Sequence, residues 1–140
     1  MERGAGFRLK TLRKLIAGES LTTTLEGTGS ATAKVFLDKI IIDVAAGQVS
    51  KYINISTPYG FKLIDVHTIH GNATQCTVQV ANTTDAITDA LALAATDKVI
   101  DRALTIDDAY HEFDKADDDL RLIIGTGAFT GRVIINIELT

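Results

Sequence analysis

From position 36 onward, apolar residues tend to recur at every second place, the period of a strand with one buried face. Phe36, Ile40, Ile42 and Val44 share one parity, interrupted by Asp38, and Val49, Lys51, Ile53 and Ile55 share another. Near the C-terminus, Leu120, Leu122 and Ile124 are followed by Val133, Ile135, Ile137 and Leu139. The connecting Gly125-Thr126-Gly127-Ala128-Phe129-Thr130-Gly131 has turn composition, so the pattern predicts a β-hairpin there. Thr57-Pro58-Tyr59-Gly60 and Gly71-Asn72 read as turns, because Pro presets φ and Gly supplies the permissive position. Short β-branched strands separated by such turns predict an all-β fold, an antiparallel β-sandwich or jelly-roll-like barrel.

Two stretches depart from simple alternation. Residues 61–70 are apolar on both parities, with Phe61, Leu63 and Ile69 on one and Ile64 and Val66 on the other. A strand buried twice needs a second layer or a neighbouring subunit, so these five residues are the candidate oligomer-facing strand. Residues 84–103 contain an echo at an offset of twelve: Thr84/Thr96, Asp85/Asp97, Ile87/Val99 and Asp89/Asp101. Two units are too few for a solenoid. Residues 85–95 fit either a short helix capped by Thr84 or a strand face through Ile87, Leu91 and Leu93, and the reading leans to strand or irregular structure.

The first 34 residues obey other rules. Five basic residues (Arg3, Arg8, Lys10, Arg13, Lys14) against Glu2 and Glu19 give the first 19 positions a net +3. With −4 for the whole chain, the remainder carries −7. An acidic body disfavours nucleic acid as a partner, since phosphate binding needs clustered Lys and Arg. Within the arm, Leu9, Leu12 and Ile16 form a stripe at helical spacing, with basic residues around it. Phe7, Arg8, Leu9, Lys10, Leu12, Arg13, Leu15 and Ile16 are therefore the candidate docking arm. Packing of the arm on its own domain is the plainer alternative. Residues 21–34, rich in Thr and Gly, have linker composition, which divides the chain into an arm and linker at 1–34 and a β-sandwich domain at 35–140.

At 140 residues, the chain is long enough to bury a working core without staples. Its single cysteine, Cys76, sits in an alternating run and reads as a small buried hydrophobe. No apolar stretch approaches the length of a membrane span, and no signal peptide is apparent, so cytoplasmic synthesis is expected.

Candidate chemistry is sparse. Asp114, Asp117, Asp118 and Asp119 suggest calcium, but the spacing lacks the glycine and closing Glu of an EF-hand loop, so a solvated acidic turn is the simpler reading. His67 and His70 lie three apart, which on a strand points them to opposite faces; with the distant His111 they read as polar rim or interface residues, not a zinc site. The glycine loop at 125–131 leads into a strand and lacks the Lys-Ser or Lys-Thr of a phosphate cradle. No nucleophile elbow is present. These patterns indicate no enzyme, cofactor or metal.

Residues 78–138 resemble the head decoration, or cement, proteins of tailed bacteriophages. The resemblance is carried by Asn82-Thr83-Thr84-Asp85-Ala86-Ile87-Thr88-Asp89-Ala90, Arg102-Ala103-Leu104-Thr105-Ile106-Asp107-Asp108-Ala109-Tyr110, Leu120-Arg121-Leu122 and Gly131-Arg132-Val133. It implies a β-sandwich that assembles as a homo-oligomer, a trimer ahead of a dimer, and sits on the major capsid protein of the virion, bridging capsomers. A head-tail connector or other neck or tail protein is an alternative. So is a carbohydrate- or receptor-binding β module, though a chain without Trp is poorly equipped to stack on sugars.

Overall fold

A computed structural model describes residues 13, 25–27, 30–47, 51–55, 59–71, 75–93, 100–114 and 119–140. Among them are twelve strands: β1 (Leu25–Gly27), β2 (Ser30–Val35), β3 (Lys39–Gly47), β4 (Lys51–Ile55), β5 (Phe61–His70), β6 (Cys76–Asn82), β7 (Asp85–Ala86), β8 (Leu91–Leu93), β9 (Ile100–Arg102), β10 (Glu112–Phe113), β11 (Leu120–Ile124) and β12 (Phe129–Leu139). They form two antiparallel six-stranded sheets. Sheet A runs β1-β4-β11-β6-β7, with β8 also on β6; sheet B runs β10-β5-β12-β3-β2, with β9 also on β5. The all-β expectation therefore holds.

The connectivity narrows that class. Setting aside β1, β2, β7 and β10, the other eight strands alternate between sheets in the orders β3-β12-β5-β9 and β4-β11-β6-β8. Numbered along the chain, these are 1-8-3-6 and 2-7-4-5, the two interleaved Greek keys of a jelly roll. Its interior is packed with apolar side chains from both sheets, among them Ile40, Ile42, Phe61, Val66, Val78, Leu122, Phe129 and Ile135. The alternation read from the sequence is the inward parity of these strands: Ile53 and Ile55 of β4, Val78 and Val80 of β6, and Val133, Ile135 and Ile137 of β12 are all buried.

The predicted C-terminal hairpin is not one. β11 pairs with β4 and β6, β12 pairs with β3 and β5, and the two never pair with each other. The glycine loop crosses between sheets instead. Its start is fastened to sheet A, where Gly125 N–H donates to the Thr77 carbonyl (2.9 Å) and Thr126 N–H to Thr77 Oγ1 (3.0 Å). Gly127 then takes φ 82°, and a Cβ there would lie 2.0 Å from the Gln75 carbonyl. Turn composition marks a reversal of direction but does not say in which layer the next strand lies.

Three further differences concern the core. Residues 25–27 and 30–34, assigned to the linker by composition, lie in β1 and β2, edge strands on β4 and β3, and Ala33 is buried, as is Val35. The sandwich thus includes β2 upstream of position 35. Asp38 breaks the stripe because it occupies the turn between β2 and β3, where Phe36 N–H donates to the Lys39 carbonyl (2.8 Å). Tyr59, taken as a turn residue, is fully buried, and its hydroxyl donates to the Phe36 carbonyl (2.5 Å). In the 84–103 region, β7, β8 and β9 are short strands, as the pattern leaned, and residues 94–99 lie outside the described residues.

Candidate interaction surface

The double-parity strand resolves into a bulge. Along β12, Asn136 faces Asp65 and the next residue, Ile137, faces Leu63, so Ile64 is an extra residue on β5. Before the bulge the inward residues are Phe61 and Leu63; after it they are Val66, Thr68 and His70. Where the ladder is interrupted, Asp65 Oδ1 accepts from Val66 N–H (2.9 Å). Of the five residues expected to face an oligomer, Phe61, Leu63 and Val66 are therefore inside the protein's own core. Ile64 is 52% exposed and Ile69 half-buried on the outside.

The outside of sheet B is where the surface becomes unusual. Register fixes which outward residues are neighbours. Lys34, Ile41, Ile134, His67 and Arg102 form one row across β2, β3, β12, β5 and β9. Thr32, Asp43, Arg132, Ile69 and Ile100 form the next. Ile41 lies directly opposite Ile134, and Ile69 directly opposite Ile100, with Ile134 and Ile69 on the diagonal between. Diagonal neighbours on one face lie about 7–8 Å apart. The four isoleucines thus stand as two opposed pairs set diagonally among polar and charged neighbours, and Ile100 at the edge is 67% exposed.

Three charge pairs bridge strands on this face. Arg132 Nε donates to Asp43 Oδ1 (2.6 Å), Arg102 Nε donates to Asp65 Oδ2 (2.9 Å), and Lys62 Nζ lies 4.0 Å from Glu112 Oε1. Beside the first pair is a cleft of about 580 Å³. It opens where β12 shifts register between Phe129 and Gly131 and β2 between Ser30 and Ala31. Gly131 takes φ 151°, and a Cβ would meet the Ile69 carbonyl at 2.2 Å. The cleft is lined by the Asp43–Arg132 pair, Thr32, Ile69 and backbone at Thr130 and Gly131. His70 reaches it from the core side, stacked on Phe129 (centroids 6.0 Å apart) with Nε2 3.7 Å from Cys76 Sγ. Burial pushes the Cys76 thiol up from its ordinary pKa, which disfavours the reactive thiolate.

A second feature lies in the segments around positions 82–90 and 102–112, which fold onto each other. Asp107 N–H donates to the Ile87 carbonyl (2.7 Å), Thr88 bridges to Ile106, and Asn82 Nδ2 donates to the carbonyls of Tyr110 (3.3 Å) and Glu112 (3.2 Å). Asp89 Oδ1 accepts from the N–H groups of Leu104 (2.8 Å) and Thr105 (3.1 Å). The result is a fastened loop platform whose tip, Leu104, is 88% exposed, with Tyr110 also exposed. Thr83 in this platform takes φ 55°, a left-handed conformation that is strained for a β-branched residue. No sequence signal marked Leu104 as a surface residue, since an isolated leucine reads as core.

The remaining candidates separate. His67 is on the outer face, His70 in the core and His111 in the platform, so the rim reading fails for His70. Among the described residues no three His, Cys, Asp or Glu side chains come together in a possible metal site. In the Asp-rich run, residues 115–118 lie outside the described residues, as do all the named arm residues except Arg13, which is exposed. No helix among the described residues is long and apolar enough to cross a membrane. No protein-family model, curated protein or solved structure matches the chain.

Proposed function

We propose that this chain is a structural virion protein, not an enzyme, that binds the outside of a phage capsid as a homo-oligomer and bridges neighbouring capsomers of the major capsid protein. The observation that carries this reading is the loop platform. The two longest strings on which the resemblance to decoration proteins rests, at 82–90 and 102–110, are distant in sequence yet form one hydrogen-bonded unit. That unit presents Leu104 to solvent on a fixed backbone, and a preordered apolar knob loses little entropy on docking. The basic arm supplies a second strap, and many weak copies on a lattice gain avidity.

The jelly-roll connectivity is compatible with this assignment and with its rivals, since lectins and shell proteins both use it. A sugar-binding reading draws on the cleft with its Asp43–Arg132 pair, but among the described residues no Phe, Tyr or Trp lines it. Co-sedimentation with empty capsids is the test, using the full chain, a version lacking residues 1–19, and Leu104→Asp. The full chain should pellet, with both changes weakening binding strongly. Absence of binding by the full chain would overturn the assignment, and binding on a glycan array in its place would favour the lectin-like alternative.

A further inference from the structure

We infer that the outer face of sheet B is the surface through which two copies of this chain pack face to face, making the oligomer a two-fold dimer. The inference rests on the self-association part of the proposed function and not on capsid binding.

Three observations point to a second copy as the occupant. The first is the isoleucine stripe: Ile41–Ile134 and Ile69–Ile100 are two opposed outward pairs on neighbouring rows, and apolar positions on a sheet face are stable when a second layer covers them. The second is charge. Residues 20–140 carry −7, so copies of this body repel wherever that charge is unpaired. On this face Asp43 is held by Arg132 and Asp65 by Arg102, and neutral ion pairs flank the isoleucines. A highly charged partner would find little to complement there, whereas a second copy meets the same paired, apolar surface. The third is extent. Five strands about 4.8 Å apart, with roughly seven residues of about 3.3 Å each, give a footprint of roughly 20 by 23 Å before side-chain relief is added. That flat footprint, roughly 460 Å², is a little over half of the ~800 Å² that each partner contributes to a standard interface, which places the contact in the small class.

Symmetry then limits the assembly. A patch that packs on the same patch of another copy is isologous and closes on a two-fold axis, which gives a dimer and leaves no open patch for a third chain. The two sheets would pack in the aligned manner, about 10 Å apart, with the stripes interdigitating.

The experiment is sedimentation velocity on the purified full chain and three variants. Ile134→Lys places a charge at the centre of the stripe, Ile100→Lys places one at its exposed edge where folding is at least risk, and Gln79→Lys on sheet A is the control. The wild type should sediment at twice its 15.0 kDa mass. Each isoleucine variant counts twice across a two-fold axis and should raise the dimer Kd on the order of 100-fold or more, with an unchanged circular dichroism spectrum for Ile100→Lys. The control should remain dimeric. A monomeric or trimeric wild type overturns the inference, and so does a dimer that survives Ile100→Lys and any folded Ile134→Lys. A dimer that dissociates as expected yet ignores capsids would sink the capsid assignment and leave this interface standing.

Discussion

The two outer faces of the sandwich are built from the same kind of strand yet end differently. On sheet A, outward positions carry Tyr52, Asn54, Thr77, Gln79, Arg121 and Ile123, and the Tyr52 ring is covered by a cation, with the Arg121 guanidinium 4.1 Å from its centre. The same Arg121 donates from Nε to Asn54 Oδ1 (2.8 Å), so the face is tied together by its own polar groups and can stay wet. On sheet B, Ile41, Ile69, Ile100 and Ile134 stand on the outer face among Thr32, Lys34, Asp43, His67, Arg102 and Arg132. Strand propensity alone would allow either outcome, since β-branched residues suit a pleated surface wherever they sit. What separates the faces is that, among the described residues, four isoleucines stand in opposed pairs on the outside of sheet B, whereas Ile123 is the isoleucine on the outside of sheet A.

The sharpest way to break that contrast is within β5, where the bulge decides which residues belong to which side. Phe61 is fully buried, stacked on Phe113 (centroids 4.5 Å) and edge-on to Tyr59 (6.4 Å). Phe61→Ala should cost ~3–5 kcal/mol in urea unfolding, the usual toll of an emptied aromatic site. Ile64→Ala, three residues on, should cost under ~0.5 kcal/mol in the monomer, because its side chain is outside. Comparable losses at both positions would mean that Ile64 is also core and that the bulge is misplaced.

A second prediction concerns the corner where sheet B opens into its cleft. Gly131→Ala forces a Cβ against the Ile69 carbonyl at a φ that favours glycine, so backbone must move in both β12 and β5. We expect a loss of ~2–4 kcal/mol on thermal and urea unfolding, the scale of a strained backbone with a broken ladder. If Gly131→Ala is neutral, the cleft is a soft feature of sheet B and its shape carries no meaning.

These positions also show how far the sequence could be read. Period-2 alternation found the inward residues of β4, β6, β11 and β12, because that period is a direct consequence of the pleat. It failed at β5 because a single inserted residue transposes every later side chain to the other parity, and Ile64 carries no sign that it is the insertion. It failed again at 125–131, since glycine permits both a hairpin and a crossing between layers, and only Thr77 and Gln75, fifty residues upstream, select the second. The isoleucine stripe was in plain view as Ile40-Ile41-Ile42 and Ile134-Ile135, yet its outward members cannot be told from inward ones until strand order places Ile134 beside Ile41. The exposed Leu104 was illegible for the same reason: its surroundings come from Asp89 and Val66, neither of them local.

Tyr59 offers a smaller effect, tied to pH, at the rim between the sheets. Burial, together with the nearby Asp38 charge, pushes its hydroxyl well above the ordinary tyrosine range. The neutral form is therefore favoured in the folded state, and the unfolded chain ionises first. Stability from this group is fully present below about pH 10 and falls as pH rises from there toward the folded-state value. Tyr59→Phe should cost ~1–2 kcal/mol at pH 7, through the lost bond to the Phe36 carbonyl, and should flatten the alkaline decline in urea midpoint. An equally steep decline in both proteins would assign it to other groups.

The smallest effect tests the other side of the comparison. If sheet A's outer face is finished within the chain, then removing its central cation should be felt locally and nowhere else. Arg121→Ala loses a cation–π contact and one hydrogen bond at a partly exposed site, for ~0.5–1 kcal/mol. It should leave the sedimentation coefficient unchanged, because no partner leans on Tyr52. Arg132→Ala is the matching change on sheet B. It breaks a half-exposed ion pair of similar intrinsic worth, so monomer stability should fall by no more than for Arg121→Ala. In the proposed dimer, however, it would leave the Asp43 carboxylate unpaired at the interface, which opposes association. Equal monomer stabilities with unequal dimer Kd values would establish the difference between the faces. If the two arginines behave alike in both measurements, sheet B is as solvated as sheet A and the isoleucine stripe is only a run of strand-forming residues.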